Sequence, residues 1–215
     1  MSMNTSFYSS PESDSHTPVC LVNRKPNGAR YCYDYCSPAV IELLNQARLT
    51  KKMTALCIFE FENKDDDIDN RNELFLQIRG AKIVKCRGSK PMSKLDCILP
   101  PEATPFFDHY QSAIVAAYAK SLGKTVDELG ENRVIGVESP TIEGCYRFDL
   151  KSKWFRGYVN GVELQSEEEM FTMYKNNKTV NLEIHLGKAK LYTSDDMEDK
   201  LVCVPFVRKI DIINS

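Results

Sequence analysis

A glycine set in the middle of a long strand restricts the fold of this chain more than any other feature. Glu73 to Cys86, with the run LFLQIRGAKIVKC, reads as one β-strand carrying Gly80 near its centre. Glycine inside a strand marks a bulge or a sharp bend, and small barrels use such bends to curl one strand around a corner. Two further long strands follow at the C-terminal end. In Thr179 to Tyr192, Val180, Leu182, Ile184 and Leu186 alternate with polar residues, the period of a half-buried strand. Lys200 to Ile213 reads as a last strand, with Leu201, Cys203, Pro205, Val207, Ile210 and Ile212 as its apolar set and a register break near Pro205 or Arg208.

The rest of the chain supplies shorter strands and a few helices. Val19 to Val22 begins a strand, and Lys51 to Phe61 reads as another, followed by an acidic loop from Glu62 to Asn72. Ser37-Pro38 is an N-cap with proline at the first helical position, opening a helix that ends near Arg48. Phe106 to Leu122 is a helix closed by Gly123, with a short second helix at Thr125 to Leu129. Arg133 to Val137 is a short strand, and Ser166 with Glu169 forms a capping box for a helix from Glu167 to Lys175.

Aromatic rings and positive charges alternate most densely in YRFDLKSKWFRGYVNGVEL, Tyr146 to Leu164. Tyr146, Phe148 and Leu150 share one parity of a strand, and Arg147, Asp149 and Lys151 share the other. The alternation then fails, because Trp154, Phe155, Arg156 and Tyr158 place three rings and a guanidinium within five positions. Asn160-Gly161 supplies the positive φ angles of a two-residue hairpin turn. Exposed rings beside Lys and Arg are how proteins hold unpaired bases, the rings stacking on base faces and the cations following phosphates. An ordinary hairpin whose rings fill a core accounts equally well for the pattern. Tyr31, Tyr33 and Tyr35, beside Arg24, Lys25 and Arg30, form a second such cluster. Arg79, Lys82, Lys85, Arg87, Lys90 and Lys94 crowd the end of the glycine-bent strand and the loop expected after it, where phosphate contact and a solvated loop both fit.

Several chemistries are disfavoured. A formal net charge of -2 argues against a wholly basic DNA-coating protein while allowing a local basic groove. The eight cysteines lack any CxxC and the N-terminus lacks a signal-peptide core, which points to a reducing, intracellular setting, in the nucleus or cytoplasm, and not to secretion. No apolar run is long enough to cross a bilayer as a helix. Asp65, Asp67 and Asp69 resemble the start of a calcium loop, but Asn70 and Leu76 stand where glycine and glutamate are required. Gly123-Lys124-Thr125 lacks the upstream glycine of a phosphate-binding loop, and TVDELGEN is too short and acidic for a recognition helix. Cys32 with Cys36 is the one close cysteine pair and falls short of a zinc site. His16, His109 and His185 sit in no catalytic motif, so no enzyme, metal or cofactor is expected.

Set in order, these elements approach an OB-like Greek-key barrel of α+β, mainly antiparallel class, with a helical insertion over about 106–130; a helix-decorated β-sandwich is the alternative. Residues 1–18 read as a disordered tail and 19–215 as a single domain. The basic strand LFLQIRGAKIVKC and the final pair LEIHLGKAKLY and KLVCVPFVRKIDII resemble those of the single-stranded DNA-binding proteins of large DNA viruses, the poxvirus type included. That resemblance implies sequence-tolerant binding of single-stranded DNA or RNA, coating replication or recombination intermediates. The rings expected to stack are Trp154, Phe155 and Tyr158, with Tyr31, Tyr33 and Tyr35 behind them. The expected phosphate contacts are Arg79, Lys82, Lys85, Arg87, Lys151, Lys153 and Arg156. A homo-oligomer is compatible with this reading, and a membrane or small-molecule partner is not expected. The competing reading is a structural or partner-binding viral protein without a nucleic-acid role.

Overall fold

The computed structural model of the protein describes residues 19–24, 30–34, 37–53, 56–61, 72–87, 94–129, 134–135, 138–139, 141–150, 156–164, 178–186, 188–194, 197–203 and 205–213. The chain opens with an antiparallel pair, β1 (Val19–Arg24) and β2 (Arg30–Asp34), then helix α1 (Pro38–Asn45). Ser37 caps that helix as its sequence requires, its Oγ accepting from Val40 N at 3.4 Å. A second antiparallel pair follows, β3 (Ala47–Met53) and β4 (Leu56–Phe61), so the stretch read as a single strand from Lys51 is a hairpin.

The bent strand is β5 (Asn72–Arg87), and it is the axis of the molecule. After it come β6 (Lys94–Ile98), helix α2 (Thr104–Ser121), β7 (Val134–Ile135) and β8 (Tyr146–Leu150). The hairpin β9 (Arg156–Val159) and β10 (Val162–Glu163) follows, then β11 (Thr179–His185), β12 (Lys188–Ser194), β13 (Met197–Cys203) and β14 (Phe206–Ile212). Each of the two long C-terminal stretches is therefore divided in two. The break in the last one falls before Phe206, and β14 bulges again at Arg208, so both expected positions of irregularity are used.

A closed ring emerges from the pairing. β5 pairs with β6, β6 with β8, β8 with β14, β14 with β11, and β11 returns to β5. All of these pairs are antiparallel except β8 with β14, which run parallel. A five-stranded mixed barrel whose last strand lies between the third and fourth is the Greek-key arrangement of an OB barrel. The α+β, OB-like class read from the sequence is thus the class of the protein. Its membership differs in one respect: the first two staves are β5 and β6, and β3 and β4 lie outside the ring. β6 occupies residues that read as basic loop, because the cations running up to Lys94 outweigh the short alternation of Leu95 and Cys97.

β5 changes neighbours along its length, with a bend between them. Gly80 has φ +74°, and Arg79 with Gly80 stand opposite the single residue Asn181, whose Oδ1 accepts from Gly80 N at 3.3 Å. A β-carbon at Gly80 would meet nothing within 4 Å, so the glycine is required by its backbone angle and not by space. Before the bend β5 pairs with β1, and after it with β6.

The barrel interior is filled by Leu76, Ile78, Leu95, Phe148, Ile184 and Ile210, among others, all buried. Helix α2 lies between the second and third staves in sequence, as an insertion. Its Phe107 ring packs against Tyr146 and Phe148 with centroids 5.2 and 5.9 Å away, and Tyr110 Oη donates to the carbonyl of Leu186 at 3.3 Å. The helix thereby seals the barrel end at which β6 stops and β8 starts. At that same end the hairpin β12–β13 links β4 to β7, carrying the sheet beyond the barrel.

Candidate nucleic-acid interface

Cross-strand neighbours in an antiparallel sheet project to the same side, so the register of β5, β6 and β8 defines one outer face. Lys82 lies opposite Ile98, Lys85 opposite Asp96, Asp96 opposite Arg147, and Lys94 opposite Asp149. Leu95 and Cys97, of the other parity, are in the core. Lys82, Lys85 and Lys94 are exposed, and none of them forms an ion pair with a described residue. Ile98, 46% exposed, gives the same face an apolar spot beside Lys82. Among these side chains, four cations, Lys82, Lys85, Lys94 and Arg147, stand against two carboxylates, Asp96 and Asp149.

At the centre of the face is a fixed ion pair. Asp96 is fully buried, and Arg147 Nε donates to its Oδ1 at 2.7 Å while Nη2 donates to Oδ2 at 3.2 Å. Nη2 also reaches Ser139 Oγ at 3.1 Å and Thr141 Oγ1 at 2.9 Å, which ties the chain preceding β8 onto the sheet. Three buried or half-buried thiols lie around the carboxylate. Burial pushes Cys86 up to about 11, with the Asp96 charge adding to the effect, and burial raises Cys97 and Cys145 for the same two kinds of reason.

The third stave does not stop at Leu150. β9 continues alongside β14 in the same parallel sense, yet Leu150 pairs with Val207 and Arg156 with Lys209. β14 advances two residues while the chain opposite advances six. The surplus falls where the aromatic alternation fails in the sequence. β9 and β10 then close on Asn160 and Gly161, with φ of 48° and 80°, the turn their sequence predicts. The hairpin is fastened to β14: Gly161 N donates to Asp211 Oδ1 at 3.0 Å and Asn160 N to the carbonyl of Ile212 at 2.9 Å.

The residues expected to bind are distributed unevenly over this framework. Lys82 and Lys85 are on the outer face, and Arg79 is half-buried on β5 just before the bend. Arg87 ends β5 opposite Lys94, and Tyr31 and Tyr33 lie in β2 opposite Val22 and Cys20. Arg156 is exposed and its Nε is 3.4 Å from Glu163 Oε1 across the hairpin. Tyr158 is 7% exposed, with Lys209 Nζ 4.5 Å from its ring centroid, and burial, with Glu163 next, raises its hydroxyl above the usual phenol range. Tyr35, Lys151, Lys153, Trp154 and Phe155 lie outside the described residues, as do the expected helix from Glu167 to Lys175 and the tail over 1–18. Missed in the sequence were Lys94 as a strand residue, Ile98 and the Asp96–Arg147 pair. The alternation of Leu95, Cys97 and Leu99 ahead of Pro100-Pro101 is the signal that locates them.

No protein-family model matches the chain, and no curated protein matches it. Among solved structures it is similar to the single-stranded DNA-binding protein from bacteriophage Enc34. For that protein in complex with ssDNA the identity is 9% and the TM-score 0.44, covering 79% of this chain and 96% of that one. Without ssDNA the values are 9% and 0.43, covering 77% and 88%; a C-terminal truncation gives 11% and 0.43, covering 80% and 98%.

His185 sits between Phe75 and Phe206, ring centroids 5.0 and 4.6 Å away, and His109 is on the exposed side of α2. Among the described residues no three His, Cys, Asp or Glu side chains are grouped to hold a metal ion, and no helix is long and apolar enough to cross a membrane.

Proposed function

We propose that this chain binds single-stranded nucleic acid, DNA in the first instance, without regard to sequence, along the outer face of β5, β6 and β8. A fold does not assign a function; the observation that carries this reading is where the cations fall. Lys82 and Lys85 on the first stave and Lys94 on the second are open, with the exposed Ile98 beside Lys82, next to the face of the second and third staves by which OB barrels take oligonucleotides. Lysines there follow the phosphates, and an apolar side chain among them meets a base or sugar. Trp154 and Phe155, which lie between Leu150 and Arg156 in the sequence, supply stacking in this proposal. Lys151, Lys153, Arg79, Arg87 and Arg156 extend the cationic track. Coating of replication or recombination intermediates is the role that sequence-tolerant binding of this kind serves.

Titration of the protein with labelled oligo-dT at low and at moderate salt tests the proposal, with the fluorescence of Trp154, the one tryptophan, followed in the same samples. Binding that weakens steeply with salt, together with quenching, supports it. Absence of binding at low salt, with an oligomer whose mass is the same with and without oligonucleotide, would turn the assignment to a partner-binding protein.

A further inference from the structure

We propose that Arg147 is a preformed phosphate ligand at the centre of this face, its Nη1 group donating to a backbone phosphodiester oxygen; the inference rests on the single-strand reading. A guanidinium carries five N–H groups in one rigid plane. Nε and Nη2 face Asp96, Ser139 and Thr141, and together those two nitrogens make four contacts between 2.7 and 3.2 Å. Nη1 lies on the opposite edge of the plane and donates to none of the described residues. Its two N–H groups remain for a ligand.

The surroundings favour an anion there. Asp96 is neutralised by Arg147 itself, and Lys85 is the cross-strand neighbour of Asp96 on the other side, so the row Lys85–Asp96–Arg147 keeps one positive charge in excess. Lys94 and Lys82 flank that row in the adjoining registers. The clamp also removes the usual cost of ordering a long side chain on binding, because the carboxylate and two hydroxyls already hold the plane. A partner for Asp96 alone needs no such fixation: an ammonium would neutralise it. What the fork and the hydroxyls add is a fixed direction for the remaining donors, and a phosphate oxygen is the anion that a single strand presents at every nucleotide.

Two variants of the full chain separate this role from a structural one. Arg147→Lys keeps a cation for Asp96 and removes the Nη1 donors. Asp96→Asn combined with Arg147→Gln replaces the ion pair by a neutral amide pair. Near-ultraviolet circular dichroism establishes that each variant is folded, and anisotropy titrations with oligo-dT, oligo-dC and oligo-dA across a salt series give affinity and salt slope. In both variants binding should weaken about tenfold, equally for the three bases. The log–log salt slope should also become shallower by about 0.7, the value of one phosphate on a single strand. Folded variants that bind like the wild type with an unchanged slope overturn the inference, as does a loss confined to one base, which makes Arg147 a base reader. Failure of the wild-type chain to bind any of the oligonucleotides removes the single-strand reading and this inference together.

Discussion

Replacing Lys82, Lys85 and Lys94 together by Gln tests the proposed face without disturbing the fold beneath it. All three side chains are exposed and pair with no described residue, so the folding cost should stay within about 0.5 kcal/mol for each. The effect on binding follows from counterion release. Each phosphate neutralised on a single strand contributes about 0.7 to the log–log salt slope, so the three lysines account for about 2.1 of it. Raising salt from about 50 to about 200 mM, roughly 0.6 log units, should therefore weaken the triple variant about twentyfold less than the wild type. Anisotropy of a labelled oligo-dT measured at five or so salt concentrations gives both slopes. A triple variant whose slope equals that of the wild type would show that the strand runs elsewhere on the molecule, and the assignment of this face would fall.

Two other outcomes follow from the geometry. Gly80→Ala should cost about 1 kcal/mol, because the left-handed backbone penalty of about 1–2 kcal/mol is partly offset by the stiffer unfolded chain. With the added β-carbon in open space, that is a drop in Tm of about 2–4 °C for a chain of this size, and an alanine variant as stable as the wild type would contradict the φ of +74°. Cys86, raised by burial and then by Asp96 from 9.0 to about 11, makes stability fall with alkali. Between those pH values the unfolded thiol loses its proton while the folded one keeps it, so the folded state binds more protons and loses stability as pH rises. The urea midpoint should therefore decline more between pH 9 and 11 for the wild type than for Cys86→Ala, and parallel declines in the two proteins would refute the coupling.

Much of the barrel was legible because strand periodicity is a local property. The alternation of Val180, Leu182, Ile184 and Leu186 marks β11, all four being buried in the core, and Asn160-Gly161 marks the hairpin because only a few residues tolerate positive φ. Local reading fails where one strand changes partners. The stretch from Thr179 reads as one strand and that from Lys200 as one strand with a register break near Pro205 or Arg208, yet each splits where the chain leaves the barrel for the β12–β13 hairpin and returns. β6 was hidden for another reason. Its outward positions, Lys94, Asp96 and Ile98, include a carboxylate that is buried only because Arg147 reaches it from the neighbouring strand.

The sequence by itself determined that the chain is a mainly antiparallel β protein, that one long strand must bend at Gly80, and that rings and cations concentrate near the third stave. These follow from backbone angles, periodicity and side-chain chemistry, which do not depend on distant residues. Tertiary structure alone decided which of the scattered lysines share a surface, and that β8 lies parallel to β14 so the ring closes. It also turned Arg147 from one polar position in an alternating strand into a clamped guanidinium. The physical reason is that register between strands far apart in sequence fixes these relations, and register is set by the packing of the whole barrel core.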